Sequence, residues 1–196
     1  MRENSLDLGS DLPQAFLADL FGGDPAFYYR QMLMDADARM LDVKISQDTV
    51  IEGCLASSAL FRTARREMVI FGRDLPASLD NTLYYADDDL LAAAEDFVAR
   101  GGRIRVLLRQ APNGEAAVAA LVGLARRSGG VRAFRGAGCP IDHDFTVADA
   151  RAYRLGLDDG NRGGTICFND RSTARRLTAV FDRLWSHVDA LPVVGA

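Results

Sequence analysis

Within eight residues near its C-terminal third the chain gathers Asp142, His143, Asp144 and Asp149, and Asn169 and Asp170 follow twenty residues later. An imidazole can attack phosphorus or move a proton, provided that a fixed cation balances the charge building on the non-bridging oxygens. His143 is one of only two histidines, and Lys44 is the only lysine, so that cation has to be Lys44 or an arginine brought in by the fold. In open α/β sheets the ligand crevice lies beyond the carboxyl ends of the strands. Arg73 follows the apolar run MVIFG and Arg109 follows RIRVLL, so both stand where strand ends are expected. As a functional set, Arg73 and Arg109 hold an anionic ligand on which His143 acts. As a structural set, the same arginines and aspartates cap helices and pair with one another at the solvated rim of a sheet, the commoner fate of such residues. The second histidine, His187, falls near the end of the last expected helix, where a positive charge is favourable.

The elements that must position these residues follow from spacing. Leu12, Phe16, Leu17 and Leu20 recur at helical intervals up to Gly22-Gly23, and Asp24-Pro25 reads as the cap and first residue of a second helix to about Leu41. The second helix carries Phe27, Tyr28, Met32, Met34 and Met40, a stripe of the kind that makes core or an oligomer contact. From residue 42 strands and helices alternate: a short strand over 42–46, a helix over 47–66, MVIFG, a strand or turn at 83–85, a helix over 87–100 stopped by Gly101-Gly102, RIRVLL, a helix over 113–128 and a strand over 131–134. Continuous apolar runs such as MVIFG and RIRVLL suit strands buried on both faces. Then the pattern changes to three strands with short connections, over 145–148, 152–157 and 164–168, and a closing helix over 170–190 with Leu177, Val180, Phe181, Leu184 and Trp185 on its buried side. The expected fold is α/β, a mixed and mainly parallel sheet flanked by helices on both faces, with an N-terminal helical extension over 1–41 and the domain over 42–196.

The segment from Asp142 to Trp185 resembles the active-site half of phospholipase D-type phosphodiesterases. Their signature is H-x-K-x4-D on a strand and its turn, then a second strand, a Gly/Asn loop, an Asn-x-Glu-like turn and an amphipathic helix. With the aspartate placed on Asp149 and the hydrophobic run on Phe145 to Ala148, Asp142 stands at the histidine position and Asp144 at the lysine position. Sliding by one makes His143 the nucleophile but leaves Phe145 at the lysine position and Ala150 at the aspartate position. Neither register restores the triad. The resemblance implies a phospholipase D-like half domain over about 42–190, and a single half implies a homodimer with two equivalent sites at the twofold axis. The expected function is therefore a non-catalytic binding or regulatory module for an anionic ligand or a protein partner. The alternative is a divergent phosphodiesterase or nuclease that uses His143 at a homodimer interface. Arg73, Arg109, Asp142, Asp144, Asp149, Asn169 and Asp170 are the ligand-binding candidates in either case.

Bulk properties narrow the class further. A net charge of −4 argues against a general nucleic-acid or membrane-surface binder, because such proteins present a basic face that releases counterions; a local arginine patch stays compatible with it. Arginine supplies nearly all the positive charge, as in GC-rich bacterial genomes. Cys54, Cys139 and Cys167 are odd in number, widely spaced and set in apolar surroundings, which points to buried thiols in a reducing cytoplasm and not to a disulfide framework. No cofactor or metal is expected: Cys139 and His143 have no second ligand pair, and the loop over 158–164 lacks the alternating oxygen ligands of a calcium loop and reads as a hairpin. The polar, acidic first residues do not have the form of a signal peptide, and no apolar run approaches the roughly 20 residues of a membrane span.

Overall fold

Seven runs rich in β-branched, aromatic and aliphatic residues pair edge to edge in one mixed sheet, in the order β1-β7-β6-β5-β2-β3-β4. The computed structural model describes residues 25–72, 88–109, 117–134, 141, 143–156 and 163–188. Its strands are β1 (Ile45–Gln47), β2 (Glu67–Gly72), β3 (Arg103–Leu108), β4 (Gly130–Ala133), β5 (Phe145–Ala148), β6 (Ala152–Gly156) and β7 (Gly164–Cys167), and its helices α1 (Pro25–Ala38), α2 (Val50–Thr63), α3 (Asp88–Ala99), α4 (Ala117–Ser128) and α5 (Arg171–His187). The helix expected over residues 12–20, the element at 83–85 and the hairpin loop at 158–162 lie outside the described residues.

Parallel pairing is confined to β2 with β3 and β3 with β4. The other four joints are antiparallel, which is more than a mainly parallel sheet implies. The reason is interleaving: β5 and β7 are the strands that point down, and each sits between strands that point up. Both crossovers, β2 through α3 to β3 and β3 through α4 to β4, step the same way along the sheet. A right-handed crossover then puts both helices on the same face.

The two faces are packed unequally. Met68, Ile70, Ile104, Val106, Leu108 and Ile166 point into a core shared with α1 to α4, whereas Val69, Phe71, Leu107, Val147, Tyr153 and Cys167 meet α5 alone. Helix α2 is buried along almost its whole length. Its start is held by a capping box in which the Thr49 hydroxyl accepts from the Glu52 amide while the Glu52 carboxylate accepts from the Thr49 amide. Helix α3 ends as its glycines demand: Gly101 takes φ +87°, open to glycine without a Cβ penalty, and the Gly101 and Gly102 amides return to the Val98 and Phe97 carbonyls. No helix among the described residues is long and apolar enough to cross a membrane.

Helix α1 seats Tyr29, Leu33 and Ala36 in the core. The stripe of Phe27, Met32, Met34 and Met40 is not core; all four side chains are exposed. Spacing, not residue type, selects the buried face, since 29, 33 and 36 follow the i, i+4, i+7 rule. Trp185 likewise is only half-buried. It stacks on Phe181 at 5.5 Å, and the Arg132 guanidinium covers its ring at 4.6 Å. The residue that fully anchors α5 is Phe181, with no exposed surface. Phe181→Ala is expected to lower stability by about 3–5 kcal/mol, measured by urea unfolding, and Trp185→Ala by clearly less.

Candidate active site at the upper edge of the sheet

Because β5 runs against β2, with Phe145 opposite Phe71 and Ala148 opposite Met68, the residue before β5 arrives at the carboxyl end of β2. Asp144 therefore lands on the edge where a ligand crevice is expected, beside Gly72 and the end of β3. Its carbonyl accepts the Gly156 amide at 2.8 Å. A methyl group built on Gly72 would stand 3.8 Å from the Asp144 carboxyl carbon, and one on Gly156 would stand 3.5 Å from its Cβ. The two glycines flank this side chain at ordinary contact distance, and sequence reasoning passed over both.

Arg109, the first residue after β3, reaches Asp144 with its guanidinium 3.2 Å from Oδ1. The arginine side chain is 9% exposed and the carboxylate 46%, so the cation is the more buried partner. Its guanidinium also lies 5.6 Å from the centre of the Phe71 ring. Two sequence candidates thus meet, as an ion pair. His143, the residue before Asp144, is exposed. Arg73 and Asp142 lie outside the described residues. A second polar pair is buried in the same half of the sheet, where Arg154 Nε donates to Gln47 Oε1 at 2.7 Å. No spacing in the sequence links those two residues, 107 positions apart.

The remaining candidates sit at the opposite edge. At about 3.3 Å per residue, Asp149 lies roughly 16 Å from Asp144 along β5, too far to address one phosphate. It opens the turn into β6 with φ +53°, a conformation that aspartate tolerates better than most residues. Its carboxylate is taken up by three main-chain donors: Oδ2 accepts from the Arg65 amide at 2.7 Å, and Oδ1 from the Arg66 and Glu67 amides at 2.9 Å each. Asn169 donates from Nδ2 to the Met40 carbonyl at 2.9 Å. Asp170 caps α5, with Oδ1 accepting the Thr173 amide at 2.9 Å. These bonds from Thr173, side chain first, hold the Asp170 carboxyl below its ordinary range. The buried Tyr153 hydroxyl donates to Asp170 Oδ2 at 3.4 Å, and burial foremost, then Cys167 and Asp170 nearby, push this phenol up to about 12. Burial also raises the Cys167 thiol, which points at the Asp42 carboxylate 3.5 Å away. Among the described residues no three His, Cys, Asp or Glu side chains gather as ligands for a metal ion.

With the geometry in place, the comparisons can be stated. Residues 52–193 match the family model described as a domain of unknown function, DUF7931. The chain belongs to the DUF7931 family. No curated protein matches it. Among solved structures, the DUF7931 chain is similar to NucT from Helicobacter pylori, with a TM-score of 0.56 and 10% identity over 76% of this chain and 98% of that one. It is similar to Nuc from Salmonella typhimurium, a phospholipase D family member, with a TM-score of 0.50 and 12% identity over 69% of this chain and 88% of that one. It is also similar to TrmBL2, an archaeal chromatin protein, with a TM-score of 0.52 and 12% identity over 91% of this chain and 66% of that one. The DUF7931 fold is thus phospholipase D-like.

Asp149→Ala removes the acceptor of three amides and is expected to destabilise the domain by about 3 kcal/mol or more in urea unfolding. Asp170→Ala removes a helix cap and the long hydrogen bond from Tyr153, and should cost about 1–2 kcal/mol at neutral pH. Because the folded-state pKa of Asp170 is depressed, its contribution is present above the ordinary value of 3.8 and fades as pH falls through the lower folded value. The gap between wild type and Asp170→Ala should therefore close in acid.

Proposed function

We propose that this chain is a phospholipase D-like module of the bacterial cytoplasm that binds or regulates without hydrolysing phosphodiesters. The observation that carries the reading is the Asp144–Arg109 pair. In the register that keeps Asp149, Asp144 stands where the resemblance places the lysine, so the crevice presents a carboxylate where a phosphodiester needs a cation. Arg109 is already drawn to that carboxylate. An anionic substrate would have to displace Asp144 and bring its own charge against it, and like charges repel. The same fold serves in TrmBL2, described as an archaeal chromatin protein with a novel mode of DNA binding, so a binding role suits this scaffold. Two copies are proposed to pair as a homodimer, as single halves of this superfamily imply.

Purified protein is expected to leave bis-p-nitrophenyl phosphate intact, with His143→Ala indistinguishable from wild type. Turnover by wild type that His143→Ala abolishes would transfer the protein to the phosphodiesterase reading. Light scattering at micromolar concentration should report a dimer; a monomer alone would count against the paired arrangement.

A further inference from the structure

At the edge of the sheet opposite Asp144, a groove of about 1250 Å³ is lined by seven arginines and only two acids, Asp37 and Asp149. Its positive side chains come from separate elements. Arg62, Arg65 and Arg66 follow one another at the end of α2 and the entry to β2, Arg100 closes α3, and Arg151 leaves the β5–β6 turn. Arg171 and Arg175 stand one turn apart at the start of α5. All but Arg151 are exposed. The two acids offset only part of the set: Asp37 pairs with Arg151 at 2.8 Å, and Asp149 is held by the Arg65, Arg66 and Glu67 amides, so the arginines remain in excess. A chain of net charge −4 thus concentrates positive charge in one concavity. The concentration costs folding energy, since like charges repel.

We infer that this groove binds the phosphate backbone of a nucleic-acid duplex. Guanidinium groups match phosphate oxygens bidentately, and arginine is the only cation lining the groove. The rest of the lining is Ala38, Met40, Thr63, Ala64 and Ala150, with no aromatic ring. Single strands are held by stacking bases on aromatic side chains, so this lining suits stacked, paired bases that show only their backbone. The surface is concave, which fits a rod-like polyanion better than a planar membrane. The site is separate from the upper edge, so the inference stands whether or not His143 is catalytic.

The experiment is fluorescence anisotropy of the full chain with an end-labelled 20-bp duplex of arbitrary sequence, titrated at several salt concentrations. Binding should weaken with salt at a log–log slope of about −0.9 for each phosphate contacted. Arg65→Glu/Arg66→Glu and Arg171→Glu/Arg175→Glu should each weaken binding about tenfold or more and flatten the slope by roughly two. Arg126→Glu/Arg127→Glu makes the same change in net charge on exposed residues of α4, outside the groove, and should leave affinity nearly unchanged. Circular dichroism checks that each variant is folded. Equal loss in all three variants would reduce the effect to net charge and overturn the site. Tighter binding of the single strand than of the duplex, or binding of phosphatidylglycerol vesicles with none of duplex, would overturn the choice of ligand.

Discussion

Everything at both edges of the sheet depends on how the Asp149 carboxylate is held. Three consecutive amides, at the point where the chain leaves α2 and enters β2, converge on its two oxygens. The Asp149 amide in turn donates to the Glu67 carbonyl at 2.9 Å. This clasp joins residues more than eighty positions apart and sets β5 against β2 in one register, because a slip of a single residue would turn every side chain of β5 to the wrong face. Met68 then faces Ala148 and Phe71 faces Phe145, and the start of β5 is delivered to the end of β2. The contact of Asp144 with Arg109, at the far end of the strand, follows from a bond made at the near end.

The same clasp arranges the arginine groove. The amides that bind Asp149 belong to Arg65 and Arg66, whose side chains line that groove, and the turn it opens supplies Arg151. The turn is strained, with Asp149 and Ala150 both at positive φ. For alanine that conformation costs of order 1 kcal/mol, and the three charge-assisted hydrogen bonds more than offset it. Asp149, the aspartate of the segment that resembles phospholipase D, does visible structural work, since its bonds set the strand register.

The two faces of the sheet divide their labour in a related way. Among the described residues four helices bury one face and α5 alone covers the other, reinforced by arginines that lie over aromatic rings. Arg105 bridges Glu67 at 2.9 Å and Asp182 at 2.7 Å while standing 5.1 Å from the Phe181 ring centre. Arg132 covers Trp185 and donates to the Trp185 and Val188 carbonyls at the end of α5. These stems and guanidinium planes shield apolar surface that a single helix leaves uncovered, which is why Trp185 needs no deeper burial.

Spacing in the sequence was enough to read the strands MVIFG and RIRVLL, the helices around them, the glycine stop after α3 and the closing helix, since each is decided by local periodicity and caps. It also showed a phospholipase D-like order of elements. The short connections of β5, β6 and β7 implied that part of the sheet is antiparallel, but not that β5 lies beside β2 and β7 beside β1, because strand order is settled by which faces cover each other. For that reason the candidates that seemed one cluster, Asp144, Asp149, Asn169 and Asp170, separate to opposite edges: β5 carries Asp144 at its start and Asp149 beyond its end. The arginines were visible in the repeated TARR of residues 63–66 and 173–176, yet only the folded chain brings the two stretches to one groove. Net charge is a sum over the whole chain and is blind to place; the tertiary structure alone decides where like charges meet.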